Sequence, residues 1–122
     1  MKKYLYILLL SIFILSCNKI SIFKYTGTYA GQSDVHSWNT VQGTSTSSTY
    51  FNTLTVSFDN EFLLINSSQK IPIDSINEGV TYTKSAGTSY CKIKFSQDSI
   101  YYSTSGGGLG GGGSSNFKGV KQ

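Results

Sequence analysis

The chain has 122 residues, a formal net charge of +4, two cysteines and one histidine. This length suits a single domain with a modest core. The chain contains no arginine, the residue that most often makes bidentate contacts to phosphates and bases. The composition therefore argues against nucleic-acid binding.

The first 16 residues have the layout of a secretory signal. Lys2 and Lys3 precede an apolar segment, Tyr4 to Leu15, and Asn18 follows soon after it. A positive start, a short apolar run and a small residue at the cut are typical of a signal peptide, and the run is shorter than the roughly 20 residues of a membrane-spanning helix. Removal of the signal takes away both lysines and lowers the net charge to +2. The basic character of the whole chain is thus partly a property of the signal.

The segment Ile14-Leu15-Ser16-Cys17 resembles the lipobox of bacterial lipoproteins. The resemblance implies cleavage before Cys17, a diacylglyceryl group on its sulfur and a further acyl chain on its amine. Two or more acyl chains anchor a protein stably to a membrane. We therefore predict a removed signal peptide over residues 1–16, a lipid anchor and short tether over 17–22, and a single β domain over 23–122.

The residues after the cysteine bear on which membrane holds the anchor. Some Gram-negative lipoproteins that stay at the inner membrane carry Asp after the cysteine, whereas this chain has Asn18. No acidic cluster follows, such as some surface-displayed lipoproteins carry. The resemblance therefore favours the outer membrane, with the domain facing the periplasm.

The mature part is rich in Ser, Thr, Tyr, Gly and Phe, which favour strands and turns. No long stretch of it shows helical periodicity. We predict an all-β domain, an antiparallel meander of about seven strands that curls into a small barrel or forms a two-sheet sandwich.

The first strand is predicted over Ile22 to Asp34, with Tyr25 and Tyr29 on one face. Two later segments are predicted as mobile connections between strands. Ser37 to Thr49 is rich in Ser and Thr, and Gly106 to Ser115 is nearly all Gly.

A first hairpin is predicted from Thr53 to Phe58 and from Glu61 to Asn66. Asp59-Asn60 forms its loop in this prediction, because both residues tolerate the positive φ of a tight turn. The apolar residues of the two strands then share one face in the pairs Leu54 with Ile65, Val56 with Leu63 and Phe58 with Glu61.

A second hairpin is predicted from Tyr90 to Ser96 and from Ser99 to Thr104, with its turn at Gln97-Asp98. Its inward face carries the pairs Phe95 with Ile100, Ile93 with Tyr102 and Cys91 with Thr104. An inward Cys91 predicts a buried, inert thiol. With Cys17 lipidated, no intramolecular disulfide is possible.

Three shorter strands complete the expected sheet. Lys70 to Asp74 contains Pro72 and is predicted as an edge strand. Gly79 to Thr83 and Asn116 to Val120 are predicted as short strands.

Two patterns with catalytic or nucleotide-binding associations lack the required context. Gly106, Gly108 and Gly111 match GxGxxG, but a β-like segment follows where a phosphate site needs a helix, so a flexible hairpin loop is expected. His36 and Asp34 share a strand face and could support acid–base chemistry, although no nucleophile stands out and a surface histidine is expected. A metal site needs three or four ligands. We predict no enzymatic activity, no metal and no cofactor.

Aromatic residues are the remaining candidates for a binding site. A tyrosine presents an apolar ring with a polar tip, and small-molecule sites are often aromatic-lined concavities. Packing within strands explains most of the aromatic residues, but a surface or cavity could be lined by Tyr25, Tyr29, Trp38, Tyr101 and Tyr102.

Lys24 to Ala30 resembles the first strand of lipocalin-type barrels, with Gly27-Thr28-Tyr29 in place of their Gly-x-Trp motif. That resemblance implies a cup for a small apolar ligand. The overall layout also resembles the small β-rich envelope lipoproteins of Gram-negative bacteria. We therefore expect a membrane-anchored, non-enzymatic binding or structural module, whose partner is an unknown protein or a small apolar ligand. The alternatives are a lipocalin-like carrier and an inhibitor or immunity protein that blocks an enzyme.

Overall fold

The structure, a computed structural model, describes residues 23–122. It confirms the all-β prediction with one antiparallel sheet of eight strands and two short 3-10 helices, Phe23–Tyr25 and Ile73–Ser75. The strands are β1 (Gly27–Asn39), β2 (Thr44–Asp59), β3 (Phe62–Ile65), β4 (Gln69–Pro72), β5 (Tyr82–Ala86), β6 (Ser89–Ser96), β7 (Ser99–Gly108) and β8 (Gly111–Lys121).

The sheet order is β4-β3-β2-β1-β8-β7-β6-β5. Two four-stranded meanders therefore lie side by side, and the first and last strands pair at the centre. The sheet curls into a half-barrel, not a two-sheet sandwich. β4 and β5 form its two edges, and residues 73–81 connect them.

The core occupies the concave side of the curled sheet. Tyr29 is fully buried on β1, and its hydroxyl donates a hydrogen bond of 2.9 Å to the Tyr25 carbonyl oxygen. The Phe95 ring on β6 lies against both tyrosines, with centroids 4.6 Å from Tyr25 and 6.2 Å from Tyr29. The remaining core residues are Leu54, Val56, Leu63, Ile65, Ile71, Ile93, Ile100 and Phe117. Such burial of apolar surface is the main source of stability in a small β domain.

A close approach between β1 and β8 closes the centre of the sheet. Gly31 pairs with Gly119, and a Cβ built on Gly31 would lie 1.9 Å from the Lys118 carbonyl oxygen. The Phe117 ring lies over Gly119, and a Cβ built on Gly119 would lie 2.6 Å from this ring. Glycine is required at Gly31 because any side chain would push the two central strands apart.

The two predicted hairpins differ in how well their register was predicted. The β6–β7 register is confirmed throughout, including the pairs of Cys91 with Thr104 and Phe95 with Ile100. The β2–β3 register is wrong by two residues, because Val56 pairs with Ile65 and the loop is Asn60-Glu61. A shift of two keeps every side chain on its face, so the predicted inward face is still correct.

The two predicted mobile connections are wrong, because both are mainly strand. β1 continues to Asn39 and β2 begins at Thr44. The glycine run likewise forms β7 up to Gly108 and β8 from Gly111. The physical reason is that β1 and β8 pair with each other along this stretch. Each hairpin therefore receives main-chain hydrogen bonds from the other, which short-range sequence patterns do not reveal.

The remaining strands are shifted from their predicted bounds. The first strand, expected over residues 22–34, starts only at Gly27 and follows a 3-10 helix that ends at Tyr25. β4 is an edge strand as predicted, and Pro72 is its last residue. β5 covers Tyr82–Ala86, a few residues later than expected.

Candidate functional site

The point where the chain enters the domain is far from the tips of the two long hairpins. Cys17, the predicted lipidation site, lies outside the described residues, which begin at Phe23. Phe23 lies near the Gly27 end of β1, and β1 has 13 residues. At about 3.3 Å per residue, Asn39 at the other end is about 40 Å away. The hairpin tips therefore lie far from Phe23, the first described residue.

The five aromatic residues predicted to bind a ligand do not form one site. Tyr25 and Tyr29 are core residues, 6% and 0% exposed. Tyr102 packs against the same core, whereas the neighbouring Tyr101 lies on the convex face of the sheet. Trp38 lies near the hairpin tips. The structure thus brings Tyr25, Tyr29 and Tyr102 together as packing residues, and it places Tyr101 and Trp38 on the convex face, far apart.

Four strands continue beyond the core as a regular sheet, which we name the hairpin extension. No residue of the core cluster lies within the extension. Its middle strands, β1 and β8, are paired on both sides. Ser, Thr and Gly dominate its composition. The extension comprises residues 33–39 of β1, 44–52 of β2, 104–108 of β7 and 111–115 of β8.

Near the hairpin tips, the convex face of the extension carries the large aromatic side chain of Trp38 on a floor of glycine. Trp38 pairs with Gly112, which pairs in turn with Gly107. A Cβ on Gly112 would lie 2.7 Å from the Trp38 indole, and one on Gly107 would lie 3.3 Å from it. The indole therefore covers the backbone of two neighbouring strands. The glycines leave the space in which it lies.

His36 extends this surface toward β2. Its ring stacks on Trp38 with centroids 5.9 Å apart and an interplanar angle of 29°. Its Nδ1 lies 2.8 Å from the Ser47 hydroxyl across the strand pair. The imidazole is thus held between an indole and a hydroxyl, and it is exposed as predicted for a surface histidine.

Asp34 lies on the same face as His36 but has hydrogen-bond partners of its own. Its Oδ1 accepts hydrogen bonds from the Thr49 hydroxyl at 2.7 Å and from the Gln32 amide at 3.3 Å. These donors, Thr49 first, hold the pKa of the Asp34 carboxyl below its usual value. A carboxylate held by two donors and an imidazole held by Ser47 do not form an acid–base pair.

Two adjoining clefts lie on the concave face of the sheet, one within the extension and one beside it among β4, β5, β6 and β7. One of about 440 Å³ lies between Val35 and Thr104, and one of about 370 Å³ lies between Lys84 and Cys91. Ser, Thr and Gly residues form most of the wall of the first cleft, whereas Lys84, Tyr90 and Cys91 contribute to the second. Both clefts are open to solvent, unlike the enclosed apolar cup that a lipocalin-type carrier needs.

The Cys91 thiol is buried, as predicted, with 7% of the residue exposed. Burial raises the pKa of this thiol above its usual value, although the nearby Tyr102 hydroxyl opposes the shift. Burial likewise raises the pKa of Tyr102 to about 12. A protonated thiol is a poor nucleophile, so the cleft beside Cys91 lacks an activated sulfur.

Metal-ligand clusters and membrane-spanning helices are both absent from residues 23–122. Over this range, no group of three or more His, Cys, Asp or Glu side chains could hold a metal ion. No helix within the same residues is long and apolar enough to cross a membrane. Comparisons of the chain with protein-family models, curated proteins and solved structures give no match.

Sequence reasoning missed the hairpin extension, the most distinctive surface of the domain. The signal that could have revealed it is the absence of proline and charge from Ser37 to Phe58, which permits a long continuous strand. The role of Trp38 could not be read in this way, because its glycine partners lie more than sixty residues away in the chain.

Proposed function

We propose that the chain is a lipid-anchored, non-enzymatic binding module of the bacterial cell envelope, and that it binds a protein partner through the hairpin extension. The anchor rests on the lipobox resemblance at Cys17 and the outer-membrane assignment on Asn18. The binding role rests on the extension itself, the single observation that carries it. This part of the sheet contributes no residue to the core cluster, so hydrophobic burial does not account for its length.

The shape of the extension supports a protein partner over a small apolar ligand. Its convex face is broad and uncharged near the tip, with Trp38 supported from below by glycine backbone. Tryptophan is enriched at the centres of protein interfaces. The clefts on the opposite face are open to solvent, and the apolar concave side of the core end is filled by Tyr29, Phe95 and their neighbours. A carrier of apolar molecules therefore has less support from the described domain.

The inhibitor or immunity role is a special case of the same proposal, in which the bound protein is an enzyme. It requires no different surface. The identity of a partner captured at the extension separates it from a structural role in the envelope.

The anchor is tested by the intact mass and membrane partition of the full-length product made in a bacterium that processes lipoproteins. We expect Cys17→Ala to remove the lipid mass and to shift the protein out of the membrane fraction. Cys91→Ala changes the other cysteine and should leave both unchanged. A wild-type protein without lipid mass would overturn the anchor proposal.

The binding surface is tested by photo-crosslinking in whole cells of the source bacterium. A photoreactive amino acid replaces Val41 at the tip, where the side chain is 84% exposed, or Val120 at the opposite end, where it is 55% exposed. We expect a discrete adduct with another protein from position 41 and none from position 120. Adducts from position 120 alone, or from neither position, would contradict the proposed surface.

A further inference from the structure

The outer edge of β2 lacks a neighbouring strand over most of its length. β3 pairs with β2 only from Val56 to Asp59. From Thr44 to Thr55, β2 pairs with β1 on one side, and no described strand pairs with it on the other side.

Main-chain groups on this edge point outward with a period of two residues. The Thr55 N–H donates to Asn66 Oδ1 at 2.9 Å, and its carbonyl oxygen accepts from the Asn66 N–H at 2.8 Å. Both groups of Thr55 therefore point away from β1. Because alternate residues of a strand direct their main-chain groups to the same side, the same holds for Ser45, Ser47, Thr49, Phe51 and Thr53.

The usual protections of an edge strand are absent here. Natural edges carry proline, charged side chains, bulges or short strands that prevent further pairing. The β4 edge has Lys70 and Pro72, and the β5 edge is short and contains Lys84. By contrast, Thr44 to Phe58 has neither proline nor a charged residue, and its register with β1 continues without a bulge.

We infer that this edge pairs with a second copy of the chain, antiparallel, about a twofold axis through Thr49. The edge belongs to the hairpin extension, but the inference rests on its unpaired main chain and not on the convex face around Trp38. In this register the outward-pointing main-chain groups from Ser45 to Thr53 of both copies are paired. About ten main-chain hydrogen bonds form between the two copies. A twofold contact of this kind is self-complementary and closes at a dimer.

The side chains along the edge fit a copy of themselves. About the axis at Thr49, Phe51 of each copy lies opposite Ser47 of the other, and Tyr50 lies opposite Ser48. In the single chain Phe51 is 85% exposed and Tyr50 is 48% exposed. In the dimer each of these rings covers a small hydroxyl residue of the other copy. No like charges oppose one another, because the segment is uncharged.

The register is tested by cysteine substitution in the full chain, expressed in cells under mild oxidation. Across the axis, two Thr49→Cys residues have Cα atoms about 5.5 Å apart, within the range for a disulfide. Two Thr53→Cys residues lie about 27 Å apart. We expect a disulfide-linked dimer of Thr49→Cys only. The wild-type chain is the control for Cys91, which is buried.

A second pair of variants separates edge pairing from chance collision. Ser47→Pro removes an N–H that points off the edge, whereas Ser47→Ala keeps it, and both lose the hydroxyl that contacts His36. In the Thr49→Cys background, Ser47→Pro should reduce the linked dimer at least tenfold, and Ser47→Ala should leave it. Circular dichroism spectra like that of the wild type are required of both variants, to establish that they are folded.

The outcomes that overturn the inference are distinct. No linked dimer, equal linking at positions 49 and 53, or linking of Thr49→Cys to a different polypeptide would each reject a second copy on this edge. The assay is repeated with Cys17→Ala, in which we expect the same linked dimer, because the contact does not involve the lipid. A failed anchor and a failed dimer are therefore distinguishable.

Discussion

The same four strands behave in opposite ways at the two ends of the molecule. In β2, Leu54 and Val56 are 3% and 2% exposed, whereas every residue from Thr44 to Thr53 is exposed. β7 passes from the buried Ile100 to a run of glycines. The hydrogen-bonded ladder is continuous across this boundary, so the difference between the two ends is one of side chains.

This comparison separates what forms a sheet from what stabilises it. Main-chain hydrogen bonds continue into the extension, but each contributes only modestly because water competes for the same groups. Burial of apolar side chains at the core end contributes more to the stability of the domain. We therefore expect global stability to reside in the core end, and the extension to open locally at a lower free energy.

The largest expected effect is truncation at the centre of the core. Phe95 is 1% exposed and contacts the rings of Tyr25 and Tyr29. Phe95→Ala should lower the free energy of unfolding by about 3–5 kcal/mol, measured by urea titration. Leu109→Ala, which truncates a fully exposed side chain at the turn between β7 and β8, should change it by less than about 0.5 kcal/mol. Similar losses from both variants would contradict the division into two ends.

A second contrast compares two glycines. A Cβ at Gly31 meets the Lys118 carbonyl oxygen, whereas a Cβ at Gly108 has nothing within 4 Å. Gly31→Ala should therefore destabilise by about 3 kcal/mol through overpacking, and Gly108→Ala should stay within about 0.5 kcal/mol of wild type. The same urea titration measures both. A tolerated Gly31→Ala would mean that the β1–β8 seam is not tight.

The core end and the extension also differ in how well the sequence predicts them. At the core end, alternation of apolar residues gave the β6–β7 register correctly. For β2 and β3, the same alternation predicted the inward face correctly but placed the turn one residue too early. Asp59 and Asn60 both tolerate positive φ, and only Asn60 adopts it, at 54°. Because a two-residue shift preserves the faces, alternation alone cannot distinguish the two registers.

In the extension, local patterns gave the wrong structure. Gly106 to Gly113 resembles a flexible connection because glycine has little strand propensity of its own. Its order comes from pairing with β1 and from the indole of Trp38, both distant in sequence. The candidate site was predictable only in its residue types. Trp38 was named among five aromatic residues, three of which the core uses.

Alkaline pH should weaken the core end selectively. Burial, and after it the charge of Asp98, raises the pKa of Tyr29 from 10.0 to about 12. Between these values the unfolded chain has released the phenolic proton and the folded chain still binds it, so stability falls as pH rises. We expect the urea midpoint to decrease steadily from about pH 10 to pH 12. Burial raises the pKa of Tyr102 to about 12 as well, so Tyr29→Phe, which cannot ionise, should remove about half of this dependence. An unchanged slope would assign it to other groups.

The smallest global effect is expected from the residue that covers the extension. Trp38 packs on Gly112 and Gly107 and does not belong to the core cluster, on which the global stability of the domain depends. Trp38→Ala should therefore change the free energy of global unfolding by less than about 1 kcal/mol. Local opening should be affected more, because loss of the indole exposes backbone on two strands. Hydrogen exchange of the Gly106–Gly113 amides should accelerate about tenfold, while amides of β6 keep their wild-type rates. Equal acceleration in β6 would show that the extension and the core unfold together, and the two ends would then be one cooperative unit.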